Sequence, residues 1–322
     1  MRHFRRLWSL PALLLAAAFA TAPGARADSW HEGAPMTTAR AFAGGALLGD
    51  DLYVIGGGST SGPRSLTEVY DTVGDIWRAG AALPSGLEQF GIAVLGDKIY
   101  VAGGYETAGP DADTTETQSA SLWIFDSALG AWVRGPSMPA PRVGVSLASV
   151  GGKIYAIGGS GPNAEQIFVY DPQANHWTTS KSSLPAPRTD SAVAVVGGSI
   201  YVIGGSVGHV ATARVDIFDP ATGAWRSGPS LPAARSGHVA AVLNGKIHVT
   251  GGQSITPPRT YPDHFVLTPG GSWSKAAALP TPRHGLVAAV AHDKLFVVGG
   301  SPGAGVYTVF TSSDVVDIYS DN

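Results

Sequence analysis

RSGHVAAVLNGKIHVTGG, residues 235–252, reads as two short strands joined by a tight turn. Asn244-Gly245 stands between two apolar runs, and this dipeptide adopts the left-handed conformations that a two-residue hairpin requires. In the neighbouring unit just upstream, ARVDIFDP (213–220) reads as that unit's third strand, and ATGAWRSGPSLP (221–232) holds a turn and its fourth strand carrying Trp225. Each unit is thus a four-stranded antiparallel meander. Such a sheet cannot bury both faces alone, so it must stack against copies of itself.

The copies are present. A glycine pair ends an apolar run at Gly57-Gly58, Gly103-Gly104, Gly158-Gly159, Gly204-Gly205, Gly251-Gly252 and Gly299-Gly300, in steps of 46, 55, 46, 47 and 48 residues. Tryptophan recurs at 30, 77, 132, 177, 225 and 273, in steps of 47, 55, 45, 48 and 48. Both series lengthen at the same step, which places one insertion between Gly104 and Trp132. Six repeats at a period near 47 predict a radial stack of four-stranded blades. Trp30 has too few residues before it for a unit of its own, and the last unit lacks a tryptophan. The simplest solution makes the segment around Ser29-Trp30 the outer strand of the sixth blade, closing the ring.

These residues resemble the kelch family. The shared marks are the glycine pair, an aromatic before aspartate (Tyr70-Asp71, Phe125-Asp126, Tyr170-Asp171, Phe218-Asp219), the tryptophan, and a Leu-Pro-x-x-Arg step ending at Arg188, Arg235 and Arg283, with MPAPR ending at Arg142. The resemblance spans residues 28–322 and implies an all-β, six-bladed kelch propeller. Unit 2 departs from it with Leu87 in the arginine's place, and unit 5 with Leu267-Thr268 for the aromatic-Asp pair. The repeated arginines (Arg40 among them) read as structural and the repeated aspartates as turn formers.

Residues 1–27 read as an export signal: basic Arg2, Arg5 and Arg6, an apolar run from Leu7 to Ala20 too short to span a bilayer, then Ala25-Arg26-Ala27. A single domain over 28–322 in the periplasm or outside the cell is expected, as a monomer. The first 27 residues carry four arginines and no acid, so their loss moves the formal charge from −3 to −7. That balance argues against nucleic acid and anionic lipid as partners. No later segment could cross a membrane. The chain has no cysteine, so its stability must come from the core. Its nine histidines show no paired spacing, so no metal or other cofactor is expected.

Strand direction puts the loops after the glycine pairs and the loops after the arginine positions on one face. The opposite face holds tight turns such as Gly49-Asp50 and His292-Asp293. A ligand site is expected on the long-loop face. Its candidate residues are Glu88, Gln89, Tyr105, Glu106, Asp190, His209, Ser236, Arg259, Tyr261 and His284. Glu88 breaks its repeat, beside the lost arginine, and is the one candidate for catalysis. His238, in a repeated strand, is expected to be packed.

Two functions are implied. As a binding module, the ring would present the long-loop face to a protein, peptide or carbohydrate. Alternatively, a distant resemblance to exported sialic-acid mutarotases (N-acetylneuraminate epimerases) implies a carboxylate and an arginine acting on a sugar in the central pocket. Copper chemistry like that of galactose oxidase requires a cysteine crosslinked to tyrosine and is excluded.

Overall fold

The computed structural model describes residues 28–60, 62–107 and 116–321. The stretch read as an export signal and the tip of the unit-2 insertion lie outside the described residues. Within them the chain is all-β, apart from one 3-10 turn at Gly305–Phe310. Among the described residues no helix is long and apolar enough to cross a membrane.

Six four-stranded antiparallel sheets follow one another along the chain. Sheet 1 contains Gly44–Leu48, Asp51–Ile55, Thr67–Asp71 and Ile76–Ala79. Sheets 2 to 5 repeat this order, beginning at Gly91, Val143, Ala192 and Val239. Sheet 6 contains Val287–Ala291, Lys294–Val298 and Val316–Ser320, and its outer strand is Ser29–Gly33 from the other end of the chain. Trp30 lies opposite Tyr319 in that pairing. Each sheet is open-edged in its own hydrogen bonding. Packing links the sheets: the first strand of each touches the first strand of the next, and that of sheet 6 touches that of sheet 1.

Binary patterning explains the packing. The second strands (LYVI, KIYVA, KIYAI, SIYVI, KIHVT, KLFVV) are apolar on both faces because each lies between two neighbours. Six hydrophobic clusters result, one at each sheet-to-sheet interface. The interface between sheets 6 and 1 joins Phe296 and Val287 to Leu52 and Tyr70, and that between sheets 5 and 6 joins Leu243 to Leu295 and Tyr319.

Two sets of hydrogen bonds run across the interfaces. Near the first strands, the residue two past each arginine position takes a left-handed conformation: Phe42, Gln89, Gly144, Asp190, Gly237 and Gly285, with φ from 52° to 63°. Phe42 N–H donates to Gly285 O at 2.8 Å, Gln89 to Phe42 at 3.2 Å, and Gly144 to Gln89 at 2.8 Å. Asp190 donates to Gly144 at 2.9 Å, Gly237 to Asp190 at 2.9 Å, and Gly285 to Gly237 at 2.7 Å. The chain of bonds returns to its start. At the periphery, the tryptophan Nε1–H donates to a carbonyl of the preceding sheet's outer segment. Trp30 reaches Ala277 O (2.8 Å), Trp77 Ala34 O (2.7 Å), Trp132 Ala81 O (2.8 Å), Trp177 Pro136 O (2.9 Å) and Trp273 Pro229 O (2.8 Å). At Trp225 the neighbouring outer strand runs on to Ser183, and Ser182 Oγ donates to Gly223 O instead, at 2.5 Å.

The arginines are structural. Arg40, Arg142, Arg188, Arg235 and Arg283 are all essentially buried. Four meet a carboxylate: Arg40 with Glu68, Arg188 with Asp216 (2.9 Å), Arg235 with Asp263 (3.5 Å) and Arg283 with Asp317. The aspartates at the turns accept from backbone N–H groups, as at Asp71 with Val73 and Gly74. His238 is buried, and its pKa is driven down to about 3 by burial and Arg235. One correction concerns unit 1. There the left-handed pair is Gly56-Gly57 (φ 59° and 89°), and Gly58 pairs with Ala41 as Tyr105 pairs with Glu88 in unit 2. A run of three glycines hid the register.

Candidate functional site

The loops after the arginine positions and after the glycine pairs enclose a cavity of about 1000 Å³. Its wall has two tiers. One is the residue just past the arginine position in units 1 to 4 (Ala41, Glu88, Val143, Thr189), the other the residue after the glycine pair in units 1 to 5 (Gly58, Tyr105, Ser160, Ser206, Gln253), and backbone bridges tie the two positions, as at Thr189 with Ser206 and Ser236 with Gln253. The hydrogen-bonded cycle lies beside them and contributes Phe42, Gln89 and Asp190 to the lining. Glycine holds the same conformation in three units. Forcing a side-chain-bearing residue into it costs about 1 kcal/mol, so three units spend stability to place a side chain there.

Five of the ten expected residues line the cavity: Glu88, Gln89, Tyr105, Asp190 and His209. Unit 2 supplies three of them, Glu88 and Tyr105 through a small sheet in which Leu87–Glu88 pairs with Tyr105–Glu106, and Gln89 from the cycle. Successive strand residues face opposite ways. Leu87 therefore enters the core while Glu88 enters the cavity, and Tyr105 faces the cavity while Glu106 turns behind it.

That alternation gives the two glutamates different chemistry. Glu106 accepts from Ser85 Oγ (2.6 Å), Ser119 Oγ (2.5 Å), Ser121 Oγ (2.7 Å) and Trp123 Nε1 (3.2 Å). Burial raises its pKa, but these donors overcome burial and hold it below the usual carboxylate range. Among the described residues, Glu88 meets no donor. Burial, with the Glu116 charge adding to it, pushes its carboxyl up to about 7. Its carboxylate lies over Gly58, where any Cβ would overlap it. Burial also raises the Asp190 pKa, opposed by a bond from Thr189.

The other five expected residues stand outside the cavity. Glu106 is the structural acceptor just described. Ser236 is buried in its bridge to Gln253, which does line the cavity. Arg259 is exposed and lies 5.2 Å from the Tyr261 ring, whose other neighbour is Arg235 at 4.9 Å. His284 is fully buried. Its Nε2 lies 2.8 Å from Gly303 O and 3.0 Å from Thr308 Oγ1, its ring packs edge-on to Phe42, and burial pushes its pKa down to about 4. His284 thus supports two lining residues without being one.

Sequence reading passed over Phe42 and the 305–310 turn. Phe42 was findable, because it stands two residues past Arg40 as Gln89 stands two past Leu87. Val306, Thr308 and Phe310 follow no repeat, so nothing in the spacing marks them.

The charged side chains lining the cavity are Glu88, Glu116 and Asp190, and among the described residues no lysine or arginine joins them. A pocket pairing a carboxylate with an arginine, as the mutarotase resemblance implies, is not what the chain builds here. Nor do three His, Asp or Glu residues gather as a metal site among the described residues.

Comparisons with known proteins place this architecture. The family model described as the KLHDC2/KLHL20/DRC7 Kelch-repeats domain matches residues 89–300, and that of the Kelch motif matches 39–84. An F-box/kelch-repeat protein of Arabidopsis thaliana is 43 % identical over 61 residues, 18 % of this chain and 16 % of that protein. A second F-box/kelch-repeat protein of the same plant is 41 % identical over 63 residues, 19 % of this chain and 24 % of its own length. The match spans no more than a quarter of either plant protein. The solved structure of YjhT is similar with a TM-score of 0.75 over 89 % of this chain and 96 % of that one. At 18 % identity that likeness is one of fold.

Proposed function

Because this chain belongs to the kelch-repeat family, we propose that its six sheets are the blades of one closed propeller acting as a binding module. The cavity face takes a protein, peptide or carbohydrate ligand. The cyclic hydrogen bonds, the six core clusters and the borrowed outer strand support closure. The observation that carries the function is the cavity, where side chains change from unit to unit on a frame that repeats. Three carboxyl groups and no cation make the site a poor receptor for an anion, so the ligand is neutral or cationic. The basic, apolar, Ala-x-Ala order of residues 1–27 supports export, with the ring working as a monomer in the periplasm or outside the cell.

A thermal-shift panel of neutral sugars, acidic sugars and short peptides tests this reading. A ligand present at 100 times its Kd adds about 2.7 kcal/mol to stability. The shift should vanish in Thr189→Trp, which fills the cavity from its wall. A shift of equal size in that variant would place binding elsewhere.

Glu88 favours a second reading, mutarotation of a reducing sugar. Ring opening needs a proton delivered to the ring oxygen and one removed from the anomeric hydroxyl, and a carboxyl titrating near 7 can do either. The sugar would be neutral, since no arginine is placed to meet a carboxylate. NMR line-shape analysis should then show faster anomer exchange with the wild type and none with Glu88→Gln. No acceleration across a panel of reducing sugars would leave binding alone.

A further inference from the structure

The mouth of the cavity carries both acidic and apolar groups. Glu88 and Glu116 stand in unit 2. Units 4 to 6 contribute an apolar arc, with the third carboxyl group, Asp190, in unit 4 beside it. Val207 and Val210 are 51 % and 69 % exposed, and Val306, Tyr307 and Phe310 are 78 %, 61 % and 73 % exposed. These five are the majority of the nine exposed large hydrophobic residues of the described chain, and two loops supply them. The elements that carry it adjoin one another. The strand Val210–Ala211 touches Gln253–Ile255, which touches the 305–310 turn, and Ile255, Val306 and Phe310 reach into the lining. A water-facing apolar surface bordering a carboxyl-lined pocket marks a place for a ligand with both characters.

Resting on the reading of the cavity as a binding site, we propose that its ligand is a peptide segment in which a lysine or arginine is flanked by apolar residues. The cation enters beside Glu88, Glu116 and Asp190, and the apolar neighbours lie on the arc of units 4 to 6.

Charge complementarity selects the cation. Glu88 sits half-buried and meets no donor among the described residues, and an ammonium or guanidinium would supply one together with the opposite charge. Phe42 and Tyr105 line the same space and offer aromatic surface to a cation. An anion would meet three carboxyl groups. The arc selects the peptide: a free amine would leave its five apolar side chains in water, whereas a segment of several residues covers them. The three carboxyl groups inside the cavity fix the direction in which the basic side chain must point.

The experiment uses the full chain and fluorescein-labelled hexapeptides with one central lysine among leucines, read by anisotropy. Matched peptides carry glutamate or norleucine in place of lysine. The lysine peptide should bind at least tenfold tighter than either. Glu88→Gln and, separately, Asp190→Asn should each weaken it several-fold, with circular dichroism confirming that both fold. Val306→Asp should weaken the lysine and norleucine peptides alike. Equal or tighter binding of the glutamate peptide would overturn the proposal, as would lysine binding indifferent to both carboxyl variants. A sugar whose thermal shift is lost in Thr189→Trp, with no binding of the lysine peptide, would overturn the ligand class while leaving the cavity reading in place. If no probe responds to Thr189→Trp, both fall.

Discussion

Glu88 and Glu106 lie within one small sheet, yet the first carries a proton near neutrality and the second is ionised. The difference is donor count: none for Glu88 among the described residues, four for Glu106. Folding raises the Glu88 pKa above its unfolded value, so the folded state holds its proton more tightly and stability falls as pH rises from about 4.5 through 7. Glu88→Gln should therefore stabilise the chain at pH 8, by up to about 3 kcal/mol, and by no more than about 1 kcal/mol at pH 5. Urea melts at the two pH values check this, and a loss of stability at pH 8 would contradict it. Glu106→Gln should destabilise by about 1.5–3 kcal/mol, because charge-assisted bonds to buried donors are lost. Glu88 was legible in the sequence as the residue that broke its repeat. That Glu106 belongs to the framework was not, since its donors come from two separate segments, Ser85 and the stretch from Ser119 to Trp123.

At the level of strands, the arginines could be read as structural, but their partners could not. Glu68, Asp216 and Asp317 each lie two residues before the aromatic of the third strand, a spacing visible only once the pairs are seen. Unit 2 has lost both members, with Leu87 for the arginine and Trp123 for the acid, so no charge is stranded. The Ser29–Gly33 strand was legible from the phase of the tryptophans. Trp30 packs on Tyr319 (5.2 Å) and on His264 of sheet 5 (5.6 Å), besides its bond to Ala277 O. Trp30→Ala should cost about 3–4 kcal/mol, and an unchanged melting temperature would detach this strand from the account. Beneath it His248 Nδ1 and His264 Nε2 lie 3.0 Å apart, near Asp28, Lys246, Tyr319 and Asp321. Burial lowers both histidines, His264 to about 4. Unfolded histidines take up protons below about 6.5, which the folded pair resists, so stability is full above that pH and falls between about 6.5 and 4. His264→Gln should flatten that slope by up to about 3 kcal/mol, measured from urea midpoints at pH 7 and 4.5. A slope as steep as the wild type's would assign acid lability to other groups.

For the molecule as a whole, period and binary pattern disclosed the repeated sheets, because burial on both faces forces the same apolar strands into every unit. The inner hydrogen-bonded cycle was hidden. Its six positions are glycine in three units and Phe42, Gln89 or Asp190 in the others, so residue identity masks a shared backbone conformation. The cycle also borders the cavity, to which it contributes Phe42, Gln89 and Asp190. Its seam is the bond from Phe42 N–H to Gly285 O, which joins the first unit to the last. Native-state hydrogen exchange, followed by NMR on the six cycle amides, tests closure most directly. The account predicts slow exchange at all six, with Phe42 as protected as Gly144 or Gly237. Fast exchange at Phe42, with the amides away from the seam still protected, would mean that the six sheets do not close on one another.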